Sequence, residues 1–124
     1  NGLMLSSSGW ATSALLILSW MYRGLMPVIY HLAIRDEWHE AVAADEPYRR
    51  STLGKSLEDE GFIHCSFDHQ VDATASGYYA GRDDVVVLTI DTGLLAAEVR
   101  IEAGFPHLYG ELPLGAVVDV RPLT

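Results

Sequence analysis

Positive charge is scarce in this chain. Its 8 Lys and Arg stand against 17 Asp and Glu, giving a formal net charge of −9 at pH 7. Setting aside Arg23, the one charge of the first 25 residues, leaves −10 on residues 26–124. So acidic a segment repels a phosphate backbone unless a local basic patch intervenes. Arg49-Arg50 is the only basic pair, and Lys55 sits close to Glu58, Asp59 and Glu60. General nucleic-acid binding is therefore not expected. Cysteine is nearly absent as well. A lone Cys65 forms no internal disulfide, which fits a reducing compartment such as the bacterial cytosol. Within its apolar run it reads as a small buried hydrophobe rather than a reactive thiol.

The familiar catalytic templates are missing too. There is no Gly-rich phosphate loop of either common kind, and no Gly-x-Ser-x-Gly nucleophile elbow. Without His-Glu-x-x-His or Cys-x-x-Cys, a zinc site has to be assembled from the scattered His31, His64 and His107, so no metal is expected. What is present is a globular composition, 49% hydrophobic and 20% charged, over 124 residues. That length suits one ordinary domain.

Residues 1–22 carry no charge and include an apolar run from Trp10 to Trp20. The run is short for a membrane span and diluted by serines, and no basic residue precedes it as in a signal peptide. Met26-Pro27 directly precedes the first clear strand. The expectation is an N-terminal extension over 1–25, from a chain that begins upstream of its natural start, and a domain over 26–124. A membrane anchor or a packed extra helix are the competing readings.

Val28–Ala33, β-branched and aromatic, predicts a buried strand. Asp36-Glu37 open a helix in which Trp38 and Val42 face inward and which Pro47 ends. Tyr48–Lys55 reads as a loop, Ser56–Glu60 as one helical turn closed by Gly61, and Phe62–Ser66 as a strand. A helix over Asp68–Tyr79 follows, with Ser66 as its N-cap. Asp84–Ile90, apolar on both faces, predicts a central strand. Val99–Glu102 and Gly115–Val120 complete five strands, and Gly104–Gly110 reads as a loop. The fold class is α+β, a single compact domain with its helices concentrated in the first half.

Strand alternation puts Phe62, His64 and Ser66 on one face. A histidine and a hydroxyl at the mouth of a helix N-terminus suit an anionic or sugar-hydroxyl ligand; a core histidine bonded to a backbone carbonyl is the bland alternative. His31 poses the same question on the first strand. In Gly104–Gly110, glycines bracket two aromatics, a proline and His107, so the segment packs onto something or lines a pocket.

Ile29-Tyr-His-Leu32, Trp38, Glu60–Ser66, Gln70, Tyr79-Ala-Gly-Arg82, the 84–91 strand and Phe105–Gly110 occur together and in order. In these the sequence resembles the small bacterial proteins of the domain-of-unknown-function family 952, over nearly all of 26–124. The resemblance implies an ADP-ribosyltransferase-like fold, with a split mixed or antiparallel sheet. It implies NAD as cofactor, held in a cleft where His31 orients the ribose. His64, Ser66 and Arg82 then line the cleft, and Tyr79 and Tyr109 sandwich the base. The third catalytic position, commonly a glutamate, is not fixed by a motif, and Glu102, His107, Tyr109 and Glu111 all compete for that place. The reading is a cytoplasmic nucleotide-binding protein, with ADP-ribosyl transfer as its possible chemistry. A non-catalytic small-ligand module is the alternative, and a His-based metal hydrolase the third choice.

Overall fold

The computed structural model describes residues 27–123, so the expectations for residues 1–25 lie outside the described residues. Strand β1 (Val28–Ile34) runs directly into helix α1 (Arg35–Ala44). Ile34 offers that helix no side-chain cap, and Asp36 and Glu37 in the first turn meet its dipole instead. The helix ends at Ala44, earlier than Pro47 requires. Asp45 takes the left-handed conformation there and returns its N–H to the carbonyls of Ala41 and Val42. Trp38 is buried as predicted. Val42 is not, at 48% exposure, because Trp38 and Ala41 supply the stripe that meets the core.

Strand β3 (Val85–Asp91) lies between β1 and β6 (Val117–Pro122), antiparallel to both. Both its faces are covered, as its continuous apolar run predicts. Val86, Leu88 and Ile90 join Ile29, Trp38 and Tyr48 in the main core, while Val85 and Val87 meet Leu32, Val71 and Tyr79 in a second cluster. Helix α2 (Leu57–Glu60) is the predicted single turn. Ser56 and Asp59 form a capping box at its start, and Gly61 closes it at φ 84°.

A second antiparallel sheet has the order β2 (Ile63–His64), β5 (Phe105–Leu108), β4 (Val99–Glu102). Here the loop expected over 104–110 is overturned, because β5 is the central strand of this sheet. Ala103 (φ 52°) and Gly104 (φ 83°) make a two-residue turn in the left-handed region, which matches the twist of a hairpin. Glycine brackets and a proline disguised a strand whose residues alternate between partly exposed and buried. Pro106 has no N–H, and the β2–β5 ladder ends beside it, where Cys65 N–H donates to the Pro106 carbonyl at 3.0 Å.

The predicted 68–79 helix is present in two pieces, a 3-10 turn over Asp68–Gln70 and α3 (Val71–Tyr78). Ser66 does not cap it. The Gln70 side chain accepts from Phe67 N–H instead, and the Ser66 hydroxyl bonds Thr74. The backbones of the two sheets are bridged where Tyr30 and Ser66 exchange hydrogen bonds of 2.8 and 2.7 Å. The result is a single α+β domain in which every strand pairing among the described residues is antiparallel. No helix among the described residues is long and apolar enough to cross a membrane.

Candidate functional site

His31 sits on β1 at the place where the two sheets part, and it is 2% exposed. Its Nδ1 lies 2.7 Å from the His64 carbonyl, which can only accept, so Nδ1 carries the proton. Nε2 then accepts from the Tyr48 hydroxyl at 3.0 Å. Burial lowers the pKa of His31 from 6.5 to about 4, outweighing the carbonyl bond that raises it, so the ring is neutral. Burial likewise holds the Tyr48 phenol well above its ordinary range, keeping it a donor. Both nitrogens of His31 thus have protein partners, and the residue ties β1 to β2. A ribose contact from this imidazole requires one of those bonds to break.

His64 has a different setting. Its backbone N–H donates to Ser51 Oγ at 3.0 Å, while its ring reaches the partly exposed face of the second sheet. Alternation carries Ile63, Cys65, Pro106 and Leu108 into the core and leaves Phe62, His64, Phe105, His107 and Tyr109 on the opposite face. His64 faces His107 in register, and Arg100 faces His107 from β4, so these three form one row across the sheet. Ring centroids lie 5.8 Å apart for His64 and His107, 5.2 Å for His64 and Phe105, and 4.4 Å for Phe62 and His107. Tyr78 of α3 adds a sixth ring, 6.4 Å from His64. Burial, and then the neighbouring His107, lower the pKa of His64. His107 Nδ1 donates to the Phe105 carbonyl at 2.8 Å, leaving Nε2 as its second hydrogen-bonding nitrogen.

The rim of this face carries charge. Tyr109 donates its hydroxyl to the Glu102 carboxylate, which raises the pKa of the phenol. The Arg100 guanidinium lies 4.4 Å from the Tyr109 ring centroid and is paired with Glu98 at 3.0 Å. Glu111 is outside the face, bonded to Arg49 at 2.8 Å.

The remaining predicted residues divide. Ser66 and Tyr79 border a cavity of about 10 Å³ together with His31 and His64. Tyr79 is 4% exposed in the second core cluster, away from the ring face, and burial pushes its phenol up to about 12. Arg82 follows the end of α3, bidentate to Asp84 at 2.9 and 2.8 Å, and borders a separate shallow recess of about 360 Å³. Among the described residues no three His, Cys, Asp or Glu are grouped so as to hold a metal ion, and both ring nitrogens of His31 already have protein partners. Cys65 is buried and its thiol is pushed well above its ordinary pKa, as expected of a small hydrophobe.

Sequence reasoning missed Tyr48, Ser51, Thr74 and Arg100. Only Arg100 left a readable signal: once Ala103-Gly104 is taken as a two-residue turn, hairpin register puts it opposite His107.

A family model described as "Protein of unknown function (DUF952)" matches residues 32–120. The chain belongs to the DUF952 family. The match takes in β2, β4, β5 and α3, and so the whole ring face of this DUF952 domain. The domain is similar to protein CC0527 from Caulobacter crescentus. Against its crystal structure the identity is 27% and the TM-score 0.67, with 79% of this chain and 87% of that one covered. Against its solution NMR structure the identity is 30% and the TM-score 0.61, with 77% and 84% covered. No curated protein matches the chain.

Proposed function

We propose that this DUF952 domain is a small-ligand binding module that takes the base of a nucleotide on its ring face, with NAD the first ligand to test. One observation carries the reading: six aromatic or imidazole rings cluster on a partly exposed sheet face and the helix beside it. A base stacked on such a ring gains about 1–3 kcal/mol. The surrounding charge favours the ring portion of a ligand over its phosphates, since the one arginine of the row is already paired with Glu98.

The test is titration of the isotope-labelled chain with NAD, adenosine and nicotinamide mononucleotide, followed by amide NMR shifts. Resonances of residues 62–66 and 105–109 should move, and His64→Ala and His107→Ala should each weaken binding about tenfold, the loss of one stacking contact. Binding that leaves those resonances in place, or that survives both substitutions, sinks the proposal.

Glu102 supports a second, catalytic reading. Its carboxylate lies on the same strand face as His107, within reach of a ligand held there, and such a group could steady an oxocarbenium-like ribose during ADP-ribosyl transfer. Mass-spectrometric release of nicotinamide from NAD, compared between wild type and Glu102→Gln, decides it. Equal traces remove catalysis and leave the binding module.

A further inference from the structure

Where β1 and β2 separate, the cavity of about 10 Å³ has room for one water-sized atom. His64, Tyr78 and Thr52 are the lining residues that also reach solvent. Deeper in, the walls are hydroxyls: Ser51, Ser66 and Thr74, at 3%, 2% and 7% exposure.

The hydroxyl protons decide what this cavity suits. Ser51 Oγ accepts from His64 N–H, and its own proton meets no acceptor among the described residues. Ser66 Oγ and Thr74 Oγ1, 3.1 Å apart, use one proton between them, so the other is surplus. The Tyr79 hydroxyl has none to spare, because it accepts from Leu53 N–H at 3.1 Å and donates to the Leu32 carbonyl at 3.3 Å. Two buried O–H donors therefore line a one-atom space. An oxygen with two lone pairs satisfies both.

We infer that this cavity is a specificity subsite for the exocyclic carbonyl oxygen of a planar ring, a carboxamide or a nucleobase oxo group, whose ring rests against His64 and Tyr78. The inference rests on the ring-face reading and deepens it, because it adds a hydrogen-bond criterion to stacking. Ser51, Ser66 and Thr74 are its specificity residues.

The experiment titrates nicotinamide and pyridine, which share a ring and differ in the carboxamide, into the isotope-labelled chain. Nicotinamide should bind about tenfold tighter, the worth of one or two neutral hydrogen bonds. The double variant Ser66→Ala/Thr74→Val removes both members of a bonded pair, which spares the fold, and should narrow the preference to about threefold, because Ser51 keeps its one donor. Thr74→Val alone frees the Ser66 proton to donate and should keep most of the preference. Equal binding of the two rings to wild type overturns the subsite and leaves the ring face standing. So does a preference that is undiminished in the double variant, or a nicotinamide complex whose crystal structure keeps a water in the cavity. Failure of both rings to move residues 62–66 and 105–109 removes the ring-face reading and the subsite with it.

Discussion

An imidazole bonded at both nitrogens inside a core responds to acid through the unfolded state. Unfolded, His31 takes up its proton near pH 6.5; folded, near pH 4. Between those values the unfolded chain binds more protons, so this contribution is complete above pH 6.5 and is lost as pH falls towards 4. The shift corresponds to about 3 kcal/mol. His64, lowered by burial and by His107, acts in the same direction. Glu58, Asp59 and Asp84 have lowered pKa values, so what they contribute is lost only through and below the carboxylate range. Urea unfolding at pH 7 and pH 4.5 should therefore differ by about 2–3 kcal/mol. His31→Asn should flatten much of that slope, and an unchanged slope in the variant removes His31 as its source. The histidine itself was visible in the sequence. A core imidazole bonded to a backbone carbonyl was one of its two readings, but its partners were hidden, because Tyr48 and the His64 carbonyl lie far away along the chain.

At the scale of elements, the β4–β5 hairpin decides whether the ring face exists. It sets Arg100 and His107 opposite each other, and Gln70 Nε2 donates to the Gly104 carbonyl at 2.8 Å, tying the turn to the entry of α3. Gly104 at φ 83° tolerates a β-branched side chain poorly, so Gly104→Val should cost about 1–2 kcal/mol. Amide exchange should accelerate over residues 99–108 while β1 and β3 keep their protection; uniform exchange rates across variant and wild type would count against the hairpin as a separate unit. Strands β1 and β3 were legible because burial on both faces leaves a continuous apolar run. Strand β5 was not, because Gly104, Pro106 and Gly110 are local turn signals and only pairing on both sides overrides them. Gly110 has its own reason to be small: a Cβ there would come within 2.5 Å of the Ala97 Cβ.

For the molecule as a whole, a net charge of −9 meets a ring face whose arginine is already paired. Binding that comes from stacking and neutral hydrogen bonds releases few counterions. The affinity for NAD should thus change less than about twofold between 50 and 300 mM salt, whereas a phosphate-driven site would lose far more. A steep salt dependence would show that unpaired cations, not rings, hold the ligand. The acidic balance, the α+β class, the family and the alternation that puts His64 opposite in face to Cys65 were all determined by the sequence alone, since each depends on composition or on neighbours along the chain. Only the tertiary structure decided that Gly61–Ser66 borders two different places. Ring packing between β2 and β5 makes its outer side a platform, and the parting of β1 from β2 leaves a one-atom cavity under His64. Both depend on strands brought together from distant parts of the chain, and no local pattern encodes that distance.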